Sequence, residues 1–261
     1  MEHIYPAFEQ GRIMKRELLL ALRDYSYEAL QLQYGGFPDG IISGCRVRID
    51  GKRLRILPGM IKCGGFLFLI IEENDIEYAP SDRYASLKFR LLRTERLADY
   101  TKYQSEFVLD SHLERKQGEI EVCRFKLKEG ALLRTDYKDF YDIQTEYDTV
   151  NLADATWSSS GGNTLSKEVT DLFAQKVLEC GHAGKDDVQF AYFLLQSKEA
   201  VNYDILMDYI CRRAGTRRLE EIMGTAEAFG KLADILDVIR QGGELRKEKD
   251  ARRGDGMIVW E

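Results

Sequence analysis

Between Cys45 and Ile56 apolar and charged residues alternate on both sides of Asp50-Gly51. In an extended chain successive side chains point to opposite faces, so Cys45, Val47, Ile49, Leu54 and Ile56 share one face and Arg46, Arg48, Arg53 and Arg55 share the other. Asp-Gly is a favoured two-residue hairpin turn, because both residues tolerate positive φ. With that turn Ile49 faces Lys52, Arg48 faces Arg53, Val47 faces Leu54, Arg46 faces Arg55 and Cys45 faces Ile56. A slip of one residue would expose the whole apolar set. A chain containing this segment must therefore build an antiparallel sheet with one face in a core.

The period of the sequence changes along the chain. Lys15 to Tyr34 is proline-free, and Leu18, Leu22, Tyr25 and Ala29 recur at helical spacing, which predicts an amphipathic helix. Gly35-Gly36-Phe37-Pro38-Asp39-Gly40 breaks it. Leu57-Pro58-Gly59 ends the hairpin, and the unbroken apolar run Phe66 to Ile71 predicts a strand buried on both faces. Further strands are expected over Ala85 to Leu92, Gln104 to Leu109 and Ile120 to Leu127. Trp157-Ser158-Ser159-Ser160-Gly161-Gly162 has linker composition. Beyond it the period is helical. Leu165, Val169, Leu172, Phe173 and Val177 form one stripe stopped by Gly181, and Val188, Ala191, Tyr192 and Leu195 form a second. Asn202 caps a third helix ended by Gly215, and Thr216 caps a fourth that continues to Gly242-Gly243. The expected fold class is α+β: a β-rich domain with an N-terminal helix over 1–156, a linker over 157–162, a small helical bundle over 163–243 and a tail over 244–261.

With 38 basic against 44 acidic side chains the formal net charge is −6, which excludes a generally basic nucleic-acid protein but not a local basic patch. No apolar run approaches the length of a membrane helix, and the N-terminus has no apolar signal-peptide core. The expected location is the cytoplasm of a bacterial host or a particle assembled there. Five widely spaced cysteines (Cys45, Cys63, Cys123, Cys180, Cys211) form no zinc motif and read as free, mostly buried thiols. His3, His112 and His182 have no paired-ligand spacing. No metal and no cofactor is expected.

The arginine face needs an explanation, since like charges opposed across a strand pair are unfavourable. Solvation accounts for it; so does cover by carboxylates, from Glu72-Glu73-Asn74-Asp75-Ile76-Glu77, from Asp136 to Asp154, or from another subunit. Nucleic acid is disfavoured, because no aromatic platform accompanies the arginines. Arg46, Arg48, Arg53 and Arg55 are therefore expected to bind an acidic surface on a partner protein. Pro38-Asp39 followed by Asp50-Gly51-Lys52 fits a permissive metal-nuclease pattern, in which Asp39 and Asp50 would hold Mg²⁺ and Lys52 would steady the attacking water. Against it, Asp50-Gly51 is better used as a turn. Tyr137, Phe140, Tyr141 and Tyr147 among carboxylates read as a half-buried edge or a cation-binding patch. The basic run from Arg246 to Arg253 and the β-prone Met257-Ile258-Val259-Trp260 read as a solvated tail with an apolar end.

Asp39-Gly40-Ile41-Ile42-Ser43-Gly44, a hairpin, Ile56-Leu57-Pro58-Gly59 and then Gly64-Gly65 together resemble a glycine-turn pattern in tail and baseplate proteins of bacteriophages and related contractile particles. The resemblance covers roughly residues 5 to 80, and the compact helical C-terminal part sets the chain apart from fibre-like members. It implies a non-enzymatic structural or assembly subunit that works through protein–protein contacts, with homo-oligomerisation open, and it carries over no catalytic residue. Two alternatives remain: a metal-dependent nuclease using Asp39, Asp50 and Lys52, and a bacterial adaptor that binds protein through its helices.

Overall fold

A computed structural model describes residue 13, residues 15–216 and residues 223–242. His3, the start of the fourth expected helix beyond Thr216, and the tail from Arg246 to Trp260 fall outside the described residues. Helix α1 (Arg16–Tyr34) is followed by β1 (Gly40–Gly44), β2 (Val47–Asp50), β3 (Arg53–Ile56), β4 (Gly59–Cys63), β5 (Phe66–Ile70), β6 (Asn74–Glu77), β7 (Tyr84–Arg96), β8 (Thr101–Asp110) and β9 (Glu119–Lys126). A 3-10 turn (Phe140–Gln144), β10 (Trp157–Ser159) and β11 (Gly162–Thr164) lead to α2 (Lys167–Glu179), α3 (Lys185–Gln196), α4 (Tyr203–Ala214) and α5 (Thr225–Arg240). After α1 the strands come first and the other helices last, the α+β arrangement that the change of period implies.

The strands form three sheets, ordered β11-β10-β1-β4-β5, β2-β3-β6 and β8-β7-β9. The hairpin faces are as read, but its register is not. Val47 pairs with Ile56, Arg48 with Arg55, Ile49 with Leu54 and Asp50 with Arg53. The tight turn is therefore Gly51-Lys52, with Gly51 alone at positive φ (58°). Asp50 stays extended and its carboxylate takes a hydrogen bond from Arg55 Nη2 at 2.8 Å. A shift of two residues keeps every side chain on its face, which is why alternation alone could not detect it. Where β1 and β4 meet, a Cβ on Gly59 would lie 2.3 Å from the Cys45 nitrogen, so this turn glycine is required by close backbone approach.

Two further expectations are corrected. Phe66 to Ile71 is not buried on both faces: β5 is the edge of its sheet, with Leu67 and Phe68 buried but Leu69 55% and Ile71 79% exposed. The 157–162 segment is not a linker. It is a tight hairpin inside the five-stranded sheet, β10 running parallel to β1 with Trp157 beside Ile41 and antiparallel to β11. Trp157, Ser158 and Ser159 are all buried. The Ser158 hydroxyl donates to Pro38 O (2.7 Å), and Ser159 Oγ accepts the Tyr203 N–H (3.0 Å), tying the sheet to the start of α4. A Cβ on Gly162 would lie 2.9 Å from the Tyr203 ring. Serine and glycine serve here to let a helix approach a strand, not to loosen the chain.

The main apolar core joins the strands to the C-terminal helices. It runs from Ile41, Leu54 and Ile56 through Phe89, Ile120 and Val122 to Phe173, Leu206, Leu232 and Leu236. Helix starts are chemically defined: Ser166 Oγ accepts the Val169 N–H (3.2 Å) at α2, and Asn202 Oδ1 accepts those of Asp204 (2.8 Å) and Ile205 (3.3 Å) at α4. Gly215 ends α4 in the left-handed region (φ 66°). All five cysteines are free; burial pushes the Cys45 thiol up to about 12 and the Cys63 thiol up to about 11. No described helix is long and apolar enough to cross a membrane.

Candidate functional site

The arginine face lies where the sequence puts it, and most of it is covered from within the chain. β6 pairs with β3 so that Asp75 stands opposite Arg55 and Glu77 opposite Arg53. Arg53 reaches Glu77 at 2.9 Å; Arg55 reaches Asp50 at 2.8 Å, Asp75 at 3.1 Å and Glu73 at 3.5 Å. Asp75 is the chief cause of the upward shift of the Arg55 guanidinium. Of the two acidic segments, Glu72 to Glu77 is therefore the one that meets the hairpin. Carboxylates of the second go elsewhere: Asp142 to Arg134, Glu146 to Lys126, Asp154 to Arg124 and Asp139 to Arg240. The tyrosines of that segment do meet cations, but the chain's own: Lys126 and Lys128 stand 4.3 and 3.9 Å from the Tyr147 ring centre, and Arg240 stands 5.3 Å from that of Tyr141.

The other end of the face is different. Arg46 Nε lies 3.2 Å from Glu168 of α2, and the exposed side chain of Arg48 makes no hydrogen bond or ion pair among the described residues. Both line a cleft of about 420 Å³ between the hairpin and α2, with Tyr137, Glu168, Asp171 and Leu172 as further walls. Burial raises the Glu168 carboxyl above its ordinary range; Arg46 and Arg48 oppose that shift and Asp171 adds to it. Nothing in the sequence links Glu168 to the hairpin, because the contact spans more than a hundred residues and depends on how α2 packs.

A second surface is apolar. Among the residues of α1 only Tyr34 is buried. Leu22 and Tyr25, members of the expected apolar stripe, are 42% and 55% exposed, and Leu32, which follows at the same spacing, is 84% exposed. The opposite side of α1 rests on the β1-β4-β5 sheet through a small cluster of Tyr34, Ile42 and Leu67, with Leu30 and Phe37 packed on it. Buried Lys62 fixes the end of the helix, its Nζ donating to the carbonyls of Tyr34 (2.9 Å), Gly35 (2.9 Å) and Phe37 (2.8 Å). Alongside, a groove of about 350 Å³ is lined by Tyr27, Leu30, Phe66, Leu69, Ile71 and Tyr103.

The nuclease residues are not brought together as a metal centre. Asp39 Oδ2 and Oδ1 accept the N–H groups of Gly64 (2.7 Å) and Gly65 (3.3 Å), closing the β4–β5 turn. Asp50 is held by Arg55, on a different sheet. No group of three or more metal-ligating side chains occurs among the described residues.

No protein-family model matches the sequence, and no curated protein matches it. Solved structures similar to the chain include the crystal structure of TssK, with a TM-score of 0.38 and 8% identity over 92% of this chain and 69% of that one. A chain of the type VI secretion system TssK-TssF-TssG baseplate subcomplex scores 0.46 with 11% identity over 92% of this chain and 100% of that one. A chain of the type VI secretion system baseplate complex scores 0.42 with 13% identity over 92% of this chain and 70% of that one.

Proposed function

We propose that this chain is a non-enzymatic structural or assembly subunit of a phage-tail- or baseplate-like particle, acting through protein–protein contacts. The observation that carries the reading is the apolar surface of α1. Leu18, Leu22, Tyr25, Ala29 and Leu32 recur at spacings of four and three, the spacing of a helix–helix seam, and Leu22 and Leu32 are 42% and 84% exposed. The β5 edge adds Leu69 and Ile71. Contiguous exposed apolar surface of this kind marks an interaction site. Glu28 is the one charge on positions flanking the seam, so two copies of α1 can meet without opposing like charges. The glycine-turn resemblance to tail and baseplate proteins supplies the type of particle.

The test is the mass of the full chain by size-exclusion chromatography with light scattering, alongside Leu22→Glu/Leu32→Glu. The reading expects the wild type above the 30.1 kDa monomer and the variant at it, with unchanged circular dichroism. Equal, monomeric masses up to high concentration contradict it.

A further inference from the structure

We propose that the cleft between the β2–β3 hairpin and α2 is a docking site for an acidic segment of a partner protein, with Arg48 and Arg46 receiving one of its carboxylates. The inference rests on the assembly reading for the nature of the ligand.

The first argument is the division of the arginine face. β6 neutralises Arg53 and Arg55 through Glu77 and Asp75, but β2 is the outer strand of its sheet, so no strand lies beyond Arg46 and Arg48 to do the same. Arg48 stands directly opposite Arg55 in the hairpin, a like-charge pair. Arg55 is paired with three carboxylates, whereas Arg48 makes no ion pair among the described residues and shares only the longer-range charge of Glu168 with Arg46.

The second argument is charge. Arg46, Arg48 and the adjoining Lys167 supply three cations; Glu168 and Asp171, the latter paired with Lys167, supply two anions. One positive charge is left over, which a single carboxylate balances. Guanidinium groups suit that ligand, since their planar forks can bind a carboxylate through two parallel N–H contacts.

The third argument is shape. Val47, Tyr137 and Leu172 give the cleft an apolar part suited to the aliphatic stem of a glutamate. The Tyr137 hydroxyl is engaged with Val150 O (2.6 Å) and does not compete for the arginines. Glu168 does compete, for Arg46. A nucleic-acid backbone fits worse: its successive phosphates need several free cations, and here they would meet Glu168 and Asp171.

The test is fluorescence anisotropy of labelled hexaglutamate with the full-length protein at low salt. Arg48→Glu is expected to weaken binding about tenfold, the loss of roughly one charge-assisted contact. Arg48→Ala should act in the same direction, and Arg83→Glu, an exposed residue away from the cleft with the same change of charge, should leave binding within about twofold of wild type. Glu168→Gln should tighten binding, because it releases Arg46 and removes an opposing charge. Equal binding by wild type and Arg48→Glu, weaker binding by Glu168→Gln, or displacement of hexaglutamate by a short DNA duplex in an Arg48-dependent manner would each overturn the proposal. None of these variants touches α1, so failure here is separate from failure of the seam.

Discussion

Helices α1 and α2 carry the same sequence signal and meet opposite fates. Both repeat apolar residues at spacings of three and four. In α2 the stripe Val169, Phe173 and Val177 is fully buried, and the Phe173 ring packs edge-on against Phe140 and Tyr209 with centroids 5.6 and 6.2 Å apart. In α1 Leu22 and Leu32 remain exposed, and the helix is held at its C-terminal end by Lys62 and the Tyr34 cluster. Periodicity tells which side of a helix seeks cover. It does not tell what provides the cover: among the described residues α2 is covered by the chain itself, while Leu22 and Leu32 of α1 are left exposed.

The sharpest contrast is in stability. Phe173→Ala should cost about 3–5 kcal/mol in chemical denaturation, as expected for emptying a packed aromatic site. Leu32→Ala should change monomer stability by no more than about 0.5 kcal/mol. A comparable loss at both positions would mean that α1 is packed after all. Next in size is Lys62→Met, which leaves the carbonyls of Tyr34, Gly35 and Phe37 without their donor. About 1–3 kcal/mol of local stability should go, read as faster amide exchange near the end of α1 with α2 unchanged.

A third effect is confined to acid. The backbone N–H of His112 is the chief cause that pulls the Asp110 carboxyl down to about 2, with Lys88 helping by charge. A carboxyl lowered on folding stabilises the fold above its unfolded value and loses that contribution as pH falls through the folded one. Stability should therefore drop between about pH 4 and pH 2, and Asp110→Asn should flatten that part of the curve. An unchanged acid profile in Asp110→Asn would contradict the assignment. The smallest effect is at the closed end of the arginine face: Arg53→Ala removes an exposed pair with Glu77 and should cost about 1 kcal/mol or less in urea denaturation.

What the sequence reading captured and what escaped it divide along physical lines. The alternation of Cys45 to Ile56 identified both faces of the hairpin, because side-chain direction is local. The register escaped, because Asp50-Gly51 and Gly51-Lys52 both make acceptable turns, and moving the turn by one residue shifts the pairing by two, which preserves the faces. Glu72 to Glu77 was recognised as one of two acidic segments able to cover the arginines; the choice between them needed the β3–β6 pairing. The Ser/Gly segment was misread since close packing of Tyr203 on Gly162 and free linkage both favour small residues. Glu168 was missed, because only tertiary packing brings it to Arg46.

The contrast between the two helices is tested most directly by amide hydrogen exchange of the full chain over a range of protein concentrations. If α1 is a seam for a second copy, protection over Arg16–Tyr34 rises with concentration while that over Lys167–Glu179 stays constant, and Leu22→Glu/Leu32→Glu abolishes the rise. Exchange in α1 that does not depend on concentration, or that is as slow as in α2 at every dilution, would contradict the account.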